Sequence, residues 1–140
     1  AVNLVFALDE ALKMMREEGL DNIFLRHNKH KLAMSNAVKA LNLKLFADEK
    51  YLSPSITAIK TEEIDAEEFR KTIKNNFDIL LAGGQDHLKG KIFRVGHLGY
   101  VNDRDIISVV SAISNTLLSL GKISAQQAGE ALIVASKYLK

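Results

Sequence analysis

The chain has 140 residues, of which 47% are hydrophobic and 26% charged, enough to bury the core of one compact domain. Lysine and arginine number 19 against 17 aspartates and glutamates, so the charge balance points to neither a nucleic acid nor an anionic membrane as partner. With no cysteine there is no disulfide, thiolate metal ligand or cysteine nucleophile, and no apolar run reaches the roughly 20 residues that span a bilayer. A protein of the reducing cytoplasm is compatible with these features.

The opening "AVNLVFALDEALKMM" is apolar from its second residue and reads as part of something longer. Leu4, Leu8, Leu12 and Met15 recur at helical spacing, Asn3 is a candidate cap and Gly19 a stop, which predicts a helix over 4–18. Asp21 offers a new cap. From there Ile23, Phe24, Ala33, Ala37, Val38 and Leu41 carry an apolar stripe through a longer second helix.

The period then changes. "LKLF" (43–46) and "SITAIK" (55–60) alternate as short strands on either side of Pro54. "IDAEEFRKTIKNNF" starts with an Asp65 cap and places Ile64, Phe69, Ile73 and Phe77 on one side of a helix. "DILLAGG" and "KIFRVG" follow as two more strands. "NDRDIISVVSAISNTLLSLG" opens on Asn102 or Asp103 and closes at Gly121, and Ser124 caps a last helix with Ala128, Ala131, Leu132, Ala135 and Leu139 on its apolar side. The predicted fold is α/β: one domain over 1–140, with a small mixed or antiparallel sheet of about four strands covered by helices.

"AGGQDHLKGKIFRVGHLGY" (82–100) is the stretch with most chemistry in it. Arg94 lies between Phe93 and Val95, and a permanently charged fork of donors is costly to hold against a sheet unless an anion meets it. That anion is either an acid of the same chain or a small carboxylate ligand. Gly83 and Gly84 before the arginine, with Gly96 and Gly99 after it, leave backbone room around it, although each alone is also ordinary turn geometry. Lys89 and Lys91 read as solvated. His87 and His97 bracket the strand and read as histidines satisfied by backbone, and Tyr100 reads as packing. The basic run "RHNKHK" (26–31) reads as a solvated helix face, because His27 and His30 lack the third ligand and the four-residue step of a zinc site. No metal site is expected.

The segments "SPSITAIK", "AGGQDHLKGKIFRVGHLGY" and "ALDEALKMMREEGLDNIFLRH" together resemble the C-terminal part of a class V aminotransferase. The branch is the one containing the serine-pyruvate and alanine-glyoxylate enzymes and the soluble hydrogenase subunits. The resemblance covers essentially all 140 residues. It implies the small domain of a fold-type I pyridoxal-phosphate enzyme and a homodimeric cytoplasmic parent. That parent would move an amino group between a small amino acid and a 2-oxo acid. It further implies that Arg94 binds the substrate carboxylate on an R-x-G-x-x-G element with Gly96 and Gly99; Gly83 and Gly84, read from the residues alone, are added as supporting backbone. The cofactor's Schiff-base lysine is expected in a large domain preceding Ala1, so no catalytic residue and no cofactor binding are expected of this piece alone. The alternative is a stand-alone α/β regulatory module that binds a small amino acid without chemistry.

Overall fold

Two helices come first, as the spacing predicts, and only Gly19 separates them. The computed structural model describes all 140 residues, with α1 over Val2–Glu18 and α2 over Leu20–Ala40. Asn3 and Asp21 do not cap them: Ala1 and Gly19 occupy the cap positions, and Asp21 sits in the first turn of α2. None of the residues of α1 is buried, whereas α2 buries Ile23, Ala33, Ala37, Val38 and, just past its end, Leu41. Phe24, expected on that stripe, is 65% exposed.

Four strands form one antiparallel sheet in the order β1, β2, β4, β3. They are β1 (Lys44–Leu45), β2 (Ile56–Lys60), β3 (Ala82–Gly83) and β4 (Ile92–Gly96). Of "DILLAGG" only Ala82 and Gly83 pair, since Asp78 takes a left-handed conformation to end the preceding helix and Leu81 is drawn into the core. In the central pair, Thr57 lies opposite Val95 and Ile59 opposite Phe93, and all four are buried. Because strand side chains alternate, Ala58, Arg94 and Gly96 fall on the other face.

The buried face packs on helices. The third helix, α3 (Ala66–Phe77), is capped by Asp65, whose carboxylate accepts the Glu67 and Glu68 amides, and it buries Phe69 and Ile73. The Phe69 ring meets Phe93 at a centroid distance of 5.2 Å. Phe77 stays 39% exposed. Capping boxes start both of the last helices: Asn102 with Asp105 for α4 (Asp103–Ser119), and Ser124 with Gln127 for α5 (Ala125–Tyr138). Helices α2, α4 and α5 pack on one another, and their buried residues join those of the sheet and α3 in a single core. No helix is long and apolar enough to cross a membrane.

Candidate functional site

Arg94 projects from the middle of β4 on the face of the sheet away from the core. Its direct neighbours across the ladder are Ala58 on β2 and Ala82 on β3. Both cross-strand neighbours are alanines, so neither adjacent side chain is large where the arginine leaves the sheet. Its Nε donates to the Gly83 carbonyl at 2.9 Å, which directs the fork. No acid of the chain pairs with it, and none of the ten ion pairs includes it. The two terminal nitrogens thus retain donors for an external anion. The small residues at 58 and 82 mattered here, and strand alternation combined with antiparallel register is what would have revealed them.

The glycines divide into two groups. A Cβ on Gly83 would come within 2.5 Å of Arg70 Nη1, and one on Gly84 within 2.1 Å of the Leu88 carbonyl oxygen. The space at those positions is therefore filled by the chain itself, and what Gly83 offers Arg94 is its carbonyl. Gly96 and Gly99 have nothing within 4 Å of an added Cβ, and Gly99 has φ +90°.

Beyond β4 the chain runs through His97–Asn102 without regular structure, anchored at several points. His97 is wholly buried. Its Nδ1 donates to the Pro54 carbonyl at 3.0 Å and its Nε2 accepts from Thr57 Oγ1 at 2.9 Å, which satisfies the expectation of a backbone-bound histidine. The Gly99 amide points at His27 Nε2 at 3.3 Å, and Arg26 Nη1 donates to the Gly99 and Val101 carbonyls at 2.8 and 3.0 Å. Asp103 accepts from Lys29 Nζ and His30 Nε2, both at 2.9 Å. Burial raises the Asp103 carboxyl, but these two hydrogen bonds outweigh it and hold the group below its ordinary range. Burial pushes His30 the other way, toward the neutral imidazole.

The run "RHNKHK" is therefore not a solvated face: His27 and His30 are buried, at 8% and 0% exposure. The signal was present in the sequence, because Ile23, His27, His30, Met34, Ala37 and Leu41 follow alternating steps of four and three and continue the apolar stripe through both imidazoles. Tyr100, expected to pack, is 82% exposed, and His87 stands in the exposed 3-10 turn Asp86–Leu88 with no backbone partner. Lys89 and Lys91 are exposed, as expected.

No model of a protein family matches the chain. Known proteins do. It is 54% identical over 120 residues to the soluble hydrogenase 42 kDa subunit of Anabaena cylindrica, an alignment covering 86% of this chain and 31% of that protein. It is 32% identical to the serine-glyoxylate aminotransferase of Arabidopsis thaliana, with all of this chain aligned to 35% of the enzyme. Among solved structures, the ureidoglycine-glyoxylate aminotransferase of Bacillus subtilis superposes with a TM-score of 0.86 at 31% identity, over 94% of this chain and 35% of that one. The pyridoxamine-pyruvate aminotransferase of Mesorhizobium loti gives the same TM-score at 25% identity. The fold is thus the α/β fold of one portion of these aminotransferases. The chain belongs to the family that holds the serine-glyoxylate and ureidoglycine-glyoxylate enzymes together with the soluble hydrogenase subunits, and it spans about a third of the length of the curated relatives it matches.

Proposed function

We propose that residues 1–140 form the C-terminal small domain of a class V, pyridoxal-phosphate-dependent aminotransferase. In it Arg94 binds the α-carboxylate of a small amino acid and of the matching 2-oxo acid. The observation that carries this reading is an arginine on an open sheet face, flanked by Ala58 and Ala82 and free of every acid in its own chain. Arg94 lines none of the main clefts of the chain, so the walls that close over a bound substrate would come from elsewhere in the parent, or from its partner in a cytoplasmic homodimer.

The cofactor's covalent anchor does not fit this chain. A Schiff-base lysine needs desolvation to lower its pKa, and no lysine is among the buried residues. The anchor belongs in the large domain of the parent. What the present residues supply is orientation: two parallel hydrogen bonds from Arg94 to a carboxylate fix the plane of the substrate's head, and Gly83 fixes the plane of the arginine. Gly96 and Gly99 keep the backbone beyond Arg94 clear of side chains.

Arg94→Lys in the complete polypeptide retains the charge and loses the fork. The expected result is a fall in kcat/KM on the order of tenfold to a hundredfold for a monocarboxylate amino donor, the worth of a charge-assisted hydrogen bond, with cofactor retention unchanged. Equal activity in the lysine variant removes Arg94 from the site. If the variant binds the amino acid more weakly in a polypeptide that shows no transamination, the regulatory-module reading takes its place.

A further inference from the structure

We propose that Arg26, held in place by Glu18, is a positioning residue for the Arg94 site: it fixes the backbone of the loop that follows the arginine strand. This inference rests on the carboxylate-binding reading of Arg94.

The loop needs an outside support. Residues 98–101 make no backbone-to-backbone hydrogen bond, and the side chains of Leu98 and Tyr100 are 69% and 82% exposed, so packing does not hold them. Val101 leans against the core, and what holds the backbone from Gly99 to Val101 is one turn of α2. A single nitrogen, Arg26 Nη1, donates to both the Gly99 and the Val101 carbonyl, and His27 Nε2 receives the Gly99 amide. Further along, Lys29 and His30 grip Asp103, where α4 begins. Upstream, His97 is locked by the Ser55 carbonyl, the Pro54 carbonyl and Thr57. Arg26 and His27 thus form the middle anchor of a segment whose two ends are fixed separately.

The guanidinium is itself fixed. Its Nε and Nη2 edge meets both carboxylate oxygens of Glu18, at 2.5 and 2.8 Å, which sets the plane of the fork and aims Nη1 at the loop. The Arg26 hydrogen bond is the main influence holding the Glu18 carboxyl below its ordinary range. Glu18 is the last residue of α1, so the end of an otherwise unpacked helix is tied through Arg26 to the Gly99 carbonyl, five residues from Arg94 in the chain. If this anchor goes, the loop that begins where β4 ends is released over Gly99–Val101. A carboxylate site tolerates little such movement, since misplacement by about 1 Å can cost on the order of a hundredfold in rate.

The test compares Arg26→Ala, Arg26→Lys, Glu18→Gln and Arg94→Lys in the complete polypeptide, with two readouts: KM and kcat for a monocarboxylate amino donor, and amide exchange of residues 98–101. Arg26→Ala is expected to raise KM about tenfold with kcat changed less than about threefold, and to speed exchange at the Gly99 amide about tenfold while core amides of α2 and α4 stay protected. Arg26→Lys, whose one nitrogen can still serve both carbonyls, is expected to recover part of the KM. Should Arg26→Ala fail to fold, Glu18→Gln loosens the guanidinium without removing it and is expected to give the same effects more weakly.

Unchanged KM with a loosened loop overturns the positioning role, as does faster exchange spread through the whole of α2. Unchanged exchange at 98–101 overturns it too. If Arg94→Lys leaves KM unaltered, the carboxylate reading itself fails, and the exchange measurement still shows separately whether Arg26 holds the loop.

Discussion

At position 97 the imidazole is buried, and both ring nitrogens are used, one donating to Pro54 and the other accepting from Thr57. Burial, opposed by the Pro54 carbonyl, pushes its pKa from 6.5 down to about 4. Between those values the unfolded chain binds a proton that the folded chain refuses, so this group makes folding weaker as pH falls through the window, by up to about 1.4 kcal/mol per pH unit. His30, also lowered by burial, acts with the same sign. The depressed carboxylates Glu18, Glu62 and Asp103 lose their contributions only below their ordinary values of 4.5, 4.5 and 3.8. A urea-midpoint series from pH 6.5 to 5 therefore isolates the histidines, and is expected to fall, whereas a flat series contradicts a neutral buried His97. Thr57→Val strips Nε2 of its donor in a dry site and is expected to cost about 1–3 kcal/mol in the same assay. Two adjacent glycines offer a sharper contrast. Gly83→Ala presses on the side-chain ends of the Arg70–Glu67 ion pair, whereas Gly84→Ala meets a backbone carbonyl at 2.1 Å. Thermal melts are expected to show a small loss for the first, and for the second the full cost of overpacking, about 1–3 kcal/mol. Neither difference was legible from a glycine pair in a string.

Among the elements, the starts of the last three helices were legible, because a cap is a local arrangement of residues three apart, whereas Asn3 and Asp21 do not cap the first two. Asp65, Asn102 and Ser124 all cap as their neighbours imply. Asn102→Ala removes one half of a capping box, and loses the acceptor for the Arg104 and Asp105 amides at the point where the anchored loop enters α4. The expected loss is about 1 kcal/mol, read as a lowered urea midpoint. Strand β3 was overdrawn for the opposite reason. How much of "DILLAGG" pairs depends on how far β4 extends beside it and on Leu81 being drawn into the core, and both are decided at long range. Helix α2 shows the same dependence. Its histidine positions carry the apolar period, yet Asp103 and the Gly99 amide, more than seventy residues away, each meet one nitrogen of a ring, and His30 Nδ1 is buried without a partner.

For the molecule as a whole, α1 is the feature that asks for company. It presents Leu4, Phe6, Leu8 and Leu12 to solvent and buries none of its residues. A helix of 17 residues with so little packing is marginal in water, and its apolar stripe is left exposed. Sedimentation of the 140-residue chain is expected to show concentration-dependent association. Leu8→Glu with Leu12→Glu is expected to reduce it without lowering the melting temperature, since no core contact is lost. The same chain mixed with pyridoxal phosphate and then borohydride is expected to yield no specific labelled lysine, because none is desolvated.

The amino-acid order by itself determined the order of helices and strands, the caps of the last three helices, the α/β class and the arginine between two core residues. These depend on period, capping chemistry and residue type, which act over a few positions. Only the tertiary structure decided that Arg94 faces away from the core between two alanines, that Gly83 and Gly84 serve Arg70 and Leu88, and that "RHNKHK" is an inward anchor. Each of these is a contact between segments distant in the chain, and register and packing, which join such segments, are properties of the assembled core.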